Sequence, residues 1–232
     1  MNERLRWTVV VPIKALGSAK SRLGVANPAD RASLSVAFAQ DVVAAAIKTP
    51  AVAGVLVVTG DARASEALTR LGALCVPEPT GANQLSALNT AISYGARLAQ
   101  QSRPGAPVAA IAGDLPALDW LELDQVLQTA TQFGRSFVPD RGGMGTTLLA
   151  VTANHRTEPR FGAGSAAAHA RSGAVSLFAT AGPSVRCDVD TSADLAQAIN
   201  LGAGEHTRAA LAASPWLVPR LLISRKPETF RY

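Results

Sequence analysis

The sequence predicts a single α/β domain built on a parallel sheet. The first ground is Thr8 to Gly24, TVVVPIKALGSAKSRLG, where a β-branched run stops at Pro12 and opens into a loop of small residues carrying Lys14, Lys20 and Arg22. The second is an alternation of strand and helix up to Val76, which reads as parallel strands joined by right-handed crossovers. The third is a later apolar strand ending in Gly113-Asp114-Leu115-Pro116. Glycine and proline fix that turn, so its aspartate is delivered to the edge of the sheet with little freedom.

Val9, Val10 and Val11 are too few for a helix and read as a strand buried on both faces. Pro12 closes the ladder because it has no N–H to donate. Gly17, Ser18 and Ala19 then let the backbone approach a ligand among three cations, the place where an open α/β sheet binds phosphate. Asn27 caps a helix with Pro28 at its first position, and Leu34, Phe38, Val42 and Ala45 recur at helical spacing to about Lys48. Pro50 ends it. Val55 to Val58 gives a second buried strand whose last turn, Thr59-Gly60-Asp61, faces the ligand edge. A helix over Ala64 to Leu71 and a short strand around Ala73 to Val76 follow. Glu78 to Asn83 is a turn, Leu85 to Gln101 a helix, and Pro107 to Ala112 the strand that delivers Asp114. Taken alone, Asp114 is explained equally well as a turn or helix cap.

A helix from about Leu121 to Phe133 leads to a strand over Arg135 to Pro139. Asp140 to Thr147, DRGGMGTT, is a glycine-rich turn into a strand over Leu148 to Val151. Its backbone N–H groups and hydroxyls suit an oxyanion, and glycine serves a loose hairpin as well. Phe161-Gly162-Ala163-Gly164-Ser165 precedes an alanine-rich helix to Arg171, with Ser165 as N-cap and a second anion site at its start. Val185 to Cys187 reads as a last short strand. Alternation then puts Asp188 and Asp190 on one face, and Thr191 or Ser192 caps a helix to about Leu201. One of these aspartates faces the same edge as Asp114. Two converging carboxylates suit magnesium, which takes its other oxygens from phosphates and water.

Hydrophobic residues make up 48% of the chain and charged residues 17%, a globular, well-cored composition. With aromatics at 5% the core is expected to consist of small aliphatics. No apolar run approaches the ~20 residues of a membrane span, and the apolar run after Arg6 meets Pro12 and Lys14 too soon for a secretory leader. Cys75 and Cys187 stand far apart, which points to core thiols in a reducing cytoplasm and away from a disulfide or a zinc site. The net charge is +5, yet the cations beyond the first loop are scattered or gathered at Arg220, Arg225, Lys226 and Arg231. Without basic repeats interleaved with aromatics, small anionic substrates are expected rather than nucleic acid. His155, His169 and His206 lack metal-ligand spacing, and there is no Gly-x-Ser-x-Gly or Walker lysine. His169, one turn beyond Ser165, is placed either to reach an anion or on the surface.

VPIKALGSAKSRL, GDLPAL, DRGGMGTTLL, FGAGS with a following histidine, and DVDTSADL stand in that order between Val9 and Leu195. Together they resemble the guanylyltransferases of deazaflavin coenzyme F-420 biosynthesis, a family acting on 2-phospho-L-lactate or phosphoenolpyruvate. The resemblance implies a single-domain, Rossmann-like α/β fold of the glycosyltransferase-A-like nucleotidyltransferase type, with a mixed, mostly parallel sheet and helices on both faces. The resemblance leaves the tail uncovered: the domain is expected over residues 1–203, with 204–232 as a tail whose Leu217 to Leu222 packs back or supports a homodimer. GTP would lie over the first loop, with Lys14, Lys20 and Arg22 toward its triphosphate. Asp114 would join them in catalysis and, with Asp190, hold Mg2+. Thr147, Gly162 and Ser165 match the family's positions for the phosphorylated three-carbon acid. Its phosphate would attack the α-phosphorus of GTP and expel pyrophosphate. One departure is Gln84-Leu85-Ser86, where the family has Gly-Leu-Asn. Two other readings keep some of these features: a nucleotidyltransferase with another acceptor, such as a molybdopterin or a sugar phosphate, and a nucleotide-binding regulator without catalysis.

Overall fold

The computed structural model describes residues 6–13, 23, 25, 27–79 and 87–214. Seven strands, β1 (Trp7–Ile13), β2 (Val52–Thr59), β3 (Leu74–Val76), β4 (Val108–Ile111), β5 (Arg135–Pro139), β6 (Thr146–Val151) and β7 (Val175–Ser176), form one sheet in the order β3-β2-β1-β4-β6-β5-β7. The four strands from β3 to β4 are parallel. β6 is antiparallel to both β4 and β5, and β7 is parallel to β5. The sheet is therefore mixed and mostly parallel, as expected. The reversal comes from the glycine-rich turn after β5, which makes β5 and β6 a hairpin.

Every residue of β1 is buried. Successive side chains point to opposite faces of the sheet, so each face needs its own cover. Val9, Val11, Val55, Val57, Ala109 and Ile111 pack with α1 (Pro28–Lys48), α2 (Ala62–Arg70) and α4 (Trp120–Ala130). Val10, Leu56, Val58 and Val108 pack on the opposite face against Ala91, Ala96 and Ala99 of α3 (Ala87–Ser102). Ile92 of α3 continues that layer with Phe137, Leu149 and Ala166, the last from α5 (Ser165–Arg171). Small alanines let helix and sheet backbones approach, which is how a chain with few aromatics fills its core. A separate cluster joins Leu34 and Phe38 of α1 to Ala117, Cys187 and Val189, to Leu195 and Ala198 of α6 (Ser192–Leu201), and to Leu211 of α7 (Glu205–Ala212). It lies beneath the turns that carry Asp114 and Asp188.

The segment after residue 203 opens with α7, which docks on α1: the buried Asp41 carboxylate accepts from the N–H groups of His206 and Thr207, at 3.0 and 2.9 Å. Val185 to Cys187 is not a strand. Ser184–Arg186 forms a 3₁₀ turn, with Val185 and Cys187 buried. Its apolar content was legible, but no ladder remained for it, since β7 already occupies the free side of β5. Ser184 is instead tied to α4, its N–H donating to Glu122 at 2.8 Å. No helix among the described residues is long and apolar enough to cross a membrane. Cys75 is half-buried and Cys187 buried, both as free thiols.

Candidate active site

The parallel pairing of β1 with β4 brings their C-terminal ends to one edge. A side chain at Gly113 would meet the tip of the Ile13 side chain, so glycine lets Asp114 turn closely against the end of β1. Beyond Ile13 the chain enters the first loop; Lys14, Lys20 and Arg22 lie outside the described residues, as does the departure at residues 84–86. Val189 donates its N–H to the Asp114 carbonyl at 3.0 Å, which lays the Asp188 to Asp190 segment along the same turn. Because β6 runs the other way, its N-terminal end reaches this edge too, and the Ala112 N–H donates to the Thr147 carbonyl at 2.8 Å.

Four carboxylates share this edge electrostatically. Burial, and then the charges of Asp114, Asp140 and Asp190, push the Asp188 carboxyl up to about 7. Asp190 is the more exposed of the pair. Thr191 is the cap of α6: its Oγ1 accepts from the Asp194 N–H at 3.2 Å, while Asp194 accepts from the Thr191 N–H at 2.9 Å. Arg141 donates to the other Asp194 oxygen at 2.7 Å, tying the glycine-rich turn to α6. Asp140, which had no role in the sequence reading beyond that turn, shapes it by accepting from the N–H groups of Met144 and Gly145 at 2.9 and 2.7 Å. Hard carboxylate oxygens in mutual repulsion are a donor set for a divalent cation. Among the described residues no group of three or more His, Cys, Asp or Glu side chains is arranged to hold a metal ion, so the other oxygens would come from phosphates and water.

The second half of the site lies where β6 meets α5. Ser165 is the first residue of α5 and not its N-cap. The cap is Gly164, at φ 68° in the left-handed region, and it makes no side-chain cap bond. The chain enters the helix through Gly162 and Gly164, both at positive φ, a path that glycine follows without strain and that leaves Ser165 inside, its N–H donating to the Gly162 carbonyl at 3.1 Å. Ala166 donates to the Met144 carbonyl at 3.1 Å, joining α5 to the glycine-rich turn. Thr147 is buried beside it, its hydroxyl 3.4 Å from the Val138 carbonyl. Thr147 and Ser165 are thus on neighbouring segments, and Gly162 is exposed above them.

His169 is not a surface residue: it is fully buried, packed between Phe137 and the edge of Phe161. Burial, with the nearby positive charges of Arg135 and Arg160, holds its pKa down at about 4. It is neutral at ordinary pH and supplies no positive charge to an anion. The amphipathic pattern of a seven-residue helix was too short to reveal this. Asn89, which the sequence analysis does not single out, bonds twice to Phe161 of the glycine loop. Its position inside α3 carried no signal, because the partner lies 72 residues away.

A profile of the family described as guanylyl transferase, CofC like, matches residues 7–215. The phosphoenolpyruvate guanylyltransferase of Streptomyces scabiei (strain 87.22) is 52% identical over 209 residues, covering 90% of this chain and 97% of that protein. The protein of the same name from Streptomyces coelicolor (strain ATCC BAA-471 / A3(2) / M145) is 51% identical over the same shares. Among solved structures, a protein from Desulfovibrio desulfuricans G20 provisionally described as a nucleotide-diphospho-sugar transferase superposes with a TM-score of 0.68 at 18% identity, covering 93% of this chain and 97% of the other. A 4-diphosphocytidyl-2C-methyl-D-erythritol synthase gives 0.56 at 13%, covering 84% and 98%; at these identities the two structures speak for the fold. The sequence matches span almost the whole described chain, from β1 to the end of α7, and include every turn at the carboxylate edge. This chain belongs to the CofC-like guanylyl transferase family.

Proposed function

We propose that the protein transfers GMP from GTP to phosphoenolpyruvate with Mg2+ and releases pyrophosphate, as a step in F-420 biosynthesis. The observation that carries this reading is the likeness, at about half identity over 90% of the chain, to proteins named phosphoenolpyruvate guanylyltransferase. 2-Phospho-L-lactate is the alternative acid. The phosphate oxygen of the acid forms a new bond to the α-phosphorus, the bond from that phosphorus to the bridging oxygen breaks, and pyrophosphate leaves with the electron pair.

The nucleophile is already an anion, so no general base is required, and the work is to bring two polyanions together in line. Asp114 and Asp190, with Asp188 in the same cluster, would hold magnesium, which when bound neutralises phosphate charge. Lys14, Lys20 and Arg22, which follow β1 in the sequence, would serve the triphosphate. Thr147, Gly162 and Ser165 would hold the acid at the antiparallel half, where the Ala166 N–H donates to the Met144 carbonyl at 3.1 Å and so links the two segments.

Pyrophosphate release from GTP, measured with phosphoenolpyruvate, 2-phospho-L-lactate and 3-phosphoglycerate, with magnesium and with chelator, tests this. Turnover with phosphoenolpyruvate that chelation abolishes is expected. No release with any of the three acids would overturn the reading.

A further inference from the structure

The loop that bears Gly162 is held at two points by neutral side chains from elsewhere in the fold. The Asn89 amide grips one residue with both its nitrogen and its oxygen: Nδ2 donates to the Phe161 carbonyl at 3.0 Å, and Oδ1 accepts from the Phe161 N–H at 2.8 Å. One residue earlier, the Arg160 N–H donates to His169 Nε2 at 3.0 Å. An acceptor nitrogen is bare, so the imidazole proton sits on Nδ1. Nδ1 is 3.0 Å from Thr146 Oγ1, which therefore accepts. Thr146 is the first residue of β6 and the neighbour of Thr147. The ring is buried, and Phe161 meets it edge-on at 5.3 Å between centroids. The two side chains, Asn89 on α3 and His169 on α5, thus join those helices to β6 and the glycine loop at one place.

We propose that Asn89 and His169 are positioning residues of the acceptor half-site, setting the glycine loop in register with Thr146 and Thr147 by neutral hydrogen bonds. This rests on the reading of that half as the place of the acid. Neither residue touches the reacting atoms. Asn89 fixes the loop toward α3 and His169 fixes it toward β6, and each leaves a backbone N–H at the loop unpaired when removed. A misplaced loop weakens the hold on the acid and leaves the carboxylate edge unchanged.

The test compares Asn89→Ala, His169→Ala and His169→Gln with the unchanged protein. Glutamine retains an amide oxygen within reach of the Arg160 N–H. Removing one partner of a buried hydrogen bond is expected to raise KM for the acid at least tenfold in both alanine variants, with KM for GTP within twofold. His169→Gln is expected to recover most of the loss. Amide exchange, read without substrate, is expected to speed up at residues 160–162 in both alanine variants while the strands stay protected. Equal rises in both KM values, or an alanine variant with loop exchange unchanged, would overturn the proposal. Should the unchanged protein be inactive with every acid, the assigned reaction falls, and loop exchange alone then decides whether Asn89 and His169 position the loop. A variant that fails to fold is replaced by Asn89→Asp, which keeps the acceptor oxygen but removes the donor. It is expected to leave Phe161 exchange near normal and to raise the acid KM, and an unchanged KM would count against the role.

Discussion

The two halves of the site are built on opposite electrostatic terms. At the parallel end, Asp114, Asp140, Asp188 and Asp190 stand close enough that burial and mutual repulsion keep one of them half-protonated near neutral pH. At the antiparallel end, the one titratable ring is forced neutral, and the groups meet through hydrogen bonds with complementary donors and acceptors. The first half gathers like charges at one edge. The second is finished before any ligand binds. In the proposed reaction between two polyanions, the first region would supply charge compensation and the second a fixed position without charge of its own.

The largest effect that separates the halves is expected from Asp114→Asn. Turnover should fall by at least about a hundredfold, the order seen when a charge-stabilising group is lost from an active site, with thermal unfolding little changed. Activity within tenfold of the unchanged protein would remove Asp114 from the chemistry.

The halves should also respond to pH with opposite signs. The folded pKa of His169, about 4, lies below its ordinary 6.5, so the unfolded chain binds the extra proton between those values. Its contribution is present above pH 6.5 and is lost as pH falls toward 4, amounting to roughly 3 kcal/mol. The groups facing the ring are Arg135, Arg160, Thr146 and Ser165. Denaturant melts of His169→Gln should show this part of the acid slope gone.

Asp188 behaves the other way. Its folded value of about 7 stands above the ordinary 3.8, so the folded metal-free protein holds the extra proton, and stability is lost as pH rises from 4 through 7. With screening by solvent at this edge the amount is on the order of 2 kcal/mol. Asp188→Asn should be more stable than the unchanged protein at pH 8 without metal, and added magnesium should raise the melting temperature of the unchanged protein more than that of the variant. Equal melting temperatures at pH 8 would show that the carboxylates do not repel as described. The smallest effect is expected from Arg141→Ala, which breaks the ion pair to Asp194 on the surface. A loss of less than about 1 kcal/mol is expected by chemical denaturation, and a larger one would make that contact part of the site's framework.

Much of this was legible in the chain. The valine run of β1, the Asn27-Pro28 helix start and the strand that delivers Asp114 follow from local rules that need only neighbours in sequence. The glycine-rich turn was legible as a turn, and the threonine cap was legible as one of two adjacent residues. Three features were not: the 3₁₀ form of Ser184 to Arg186, the cap of α5, and the burial of His169. Each depends on what is already in place around it. A free strand edge was taken by β7, a left-handed entry moved Ser165 one position inward, and Phe137 and Phe161 closed over the imidazole.

The sequence by itself determined the parallel core, the order of its crossovers and the residue types at the ligand edge, because strand and helix periodicity and turn chemistry act over a few residues. Only the tertiary structure decided that Asp188 is raised by burial and by three other aspartates, that His169 is neutral, and that Asn89 grips a loop 72 residues away. Proton affinity depends on burial and on charges brought in from distant segments, and a hydrogen bond across the fold has no trace in local pattern.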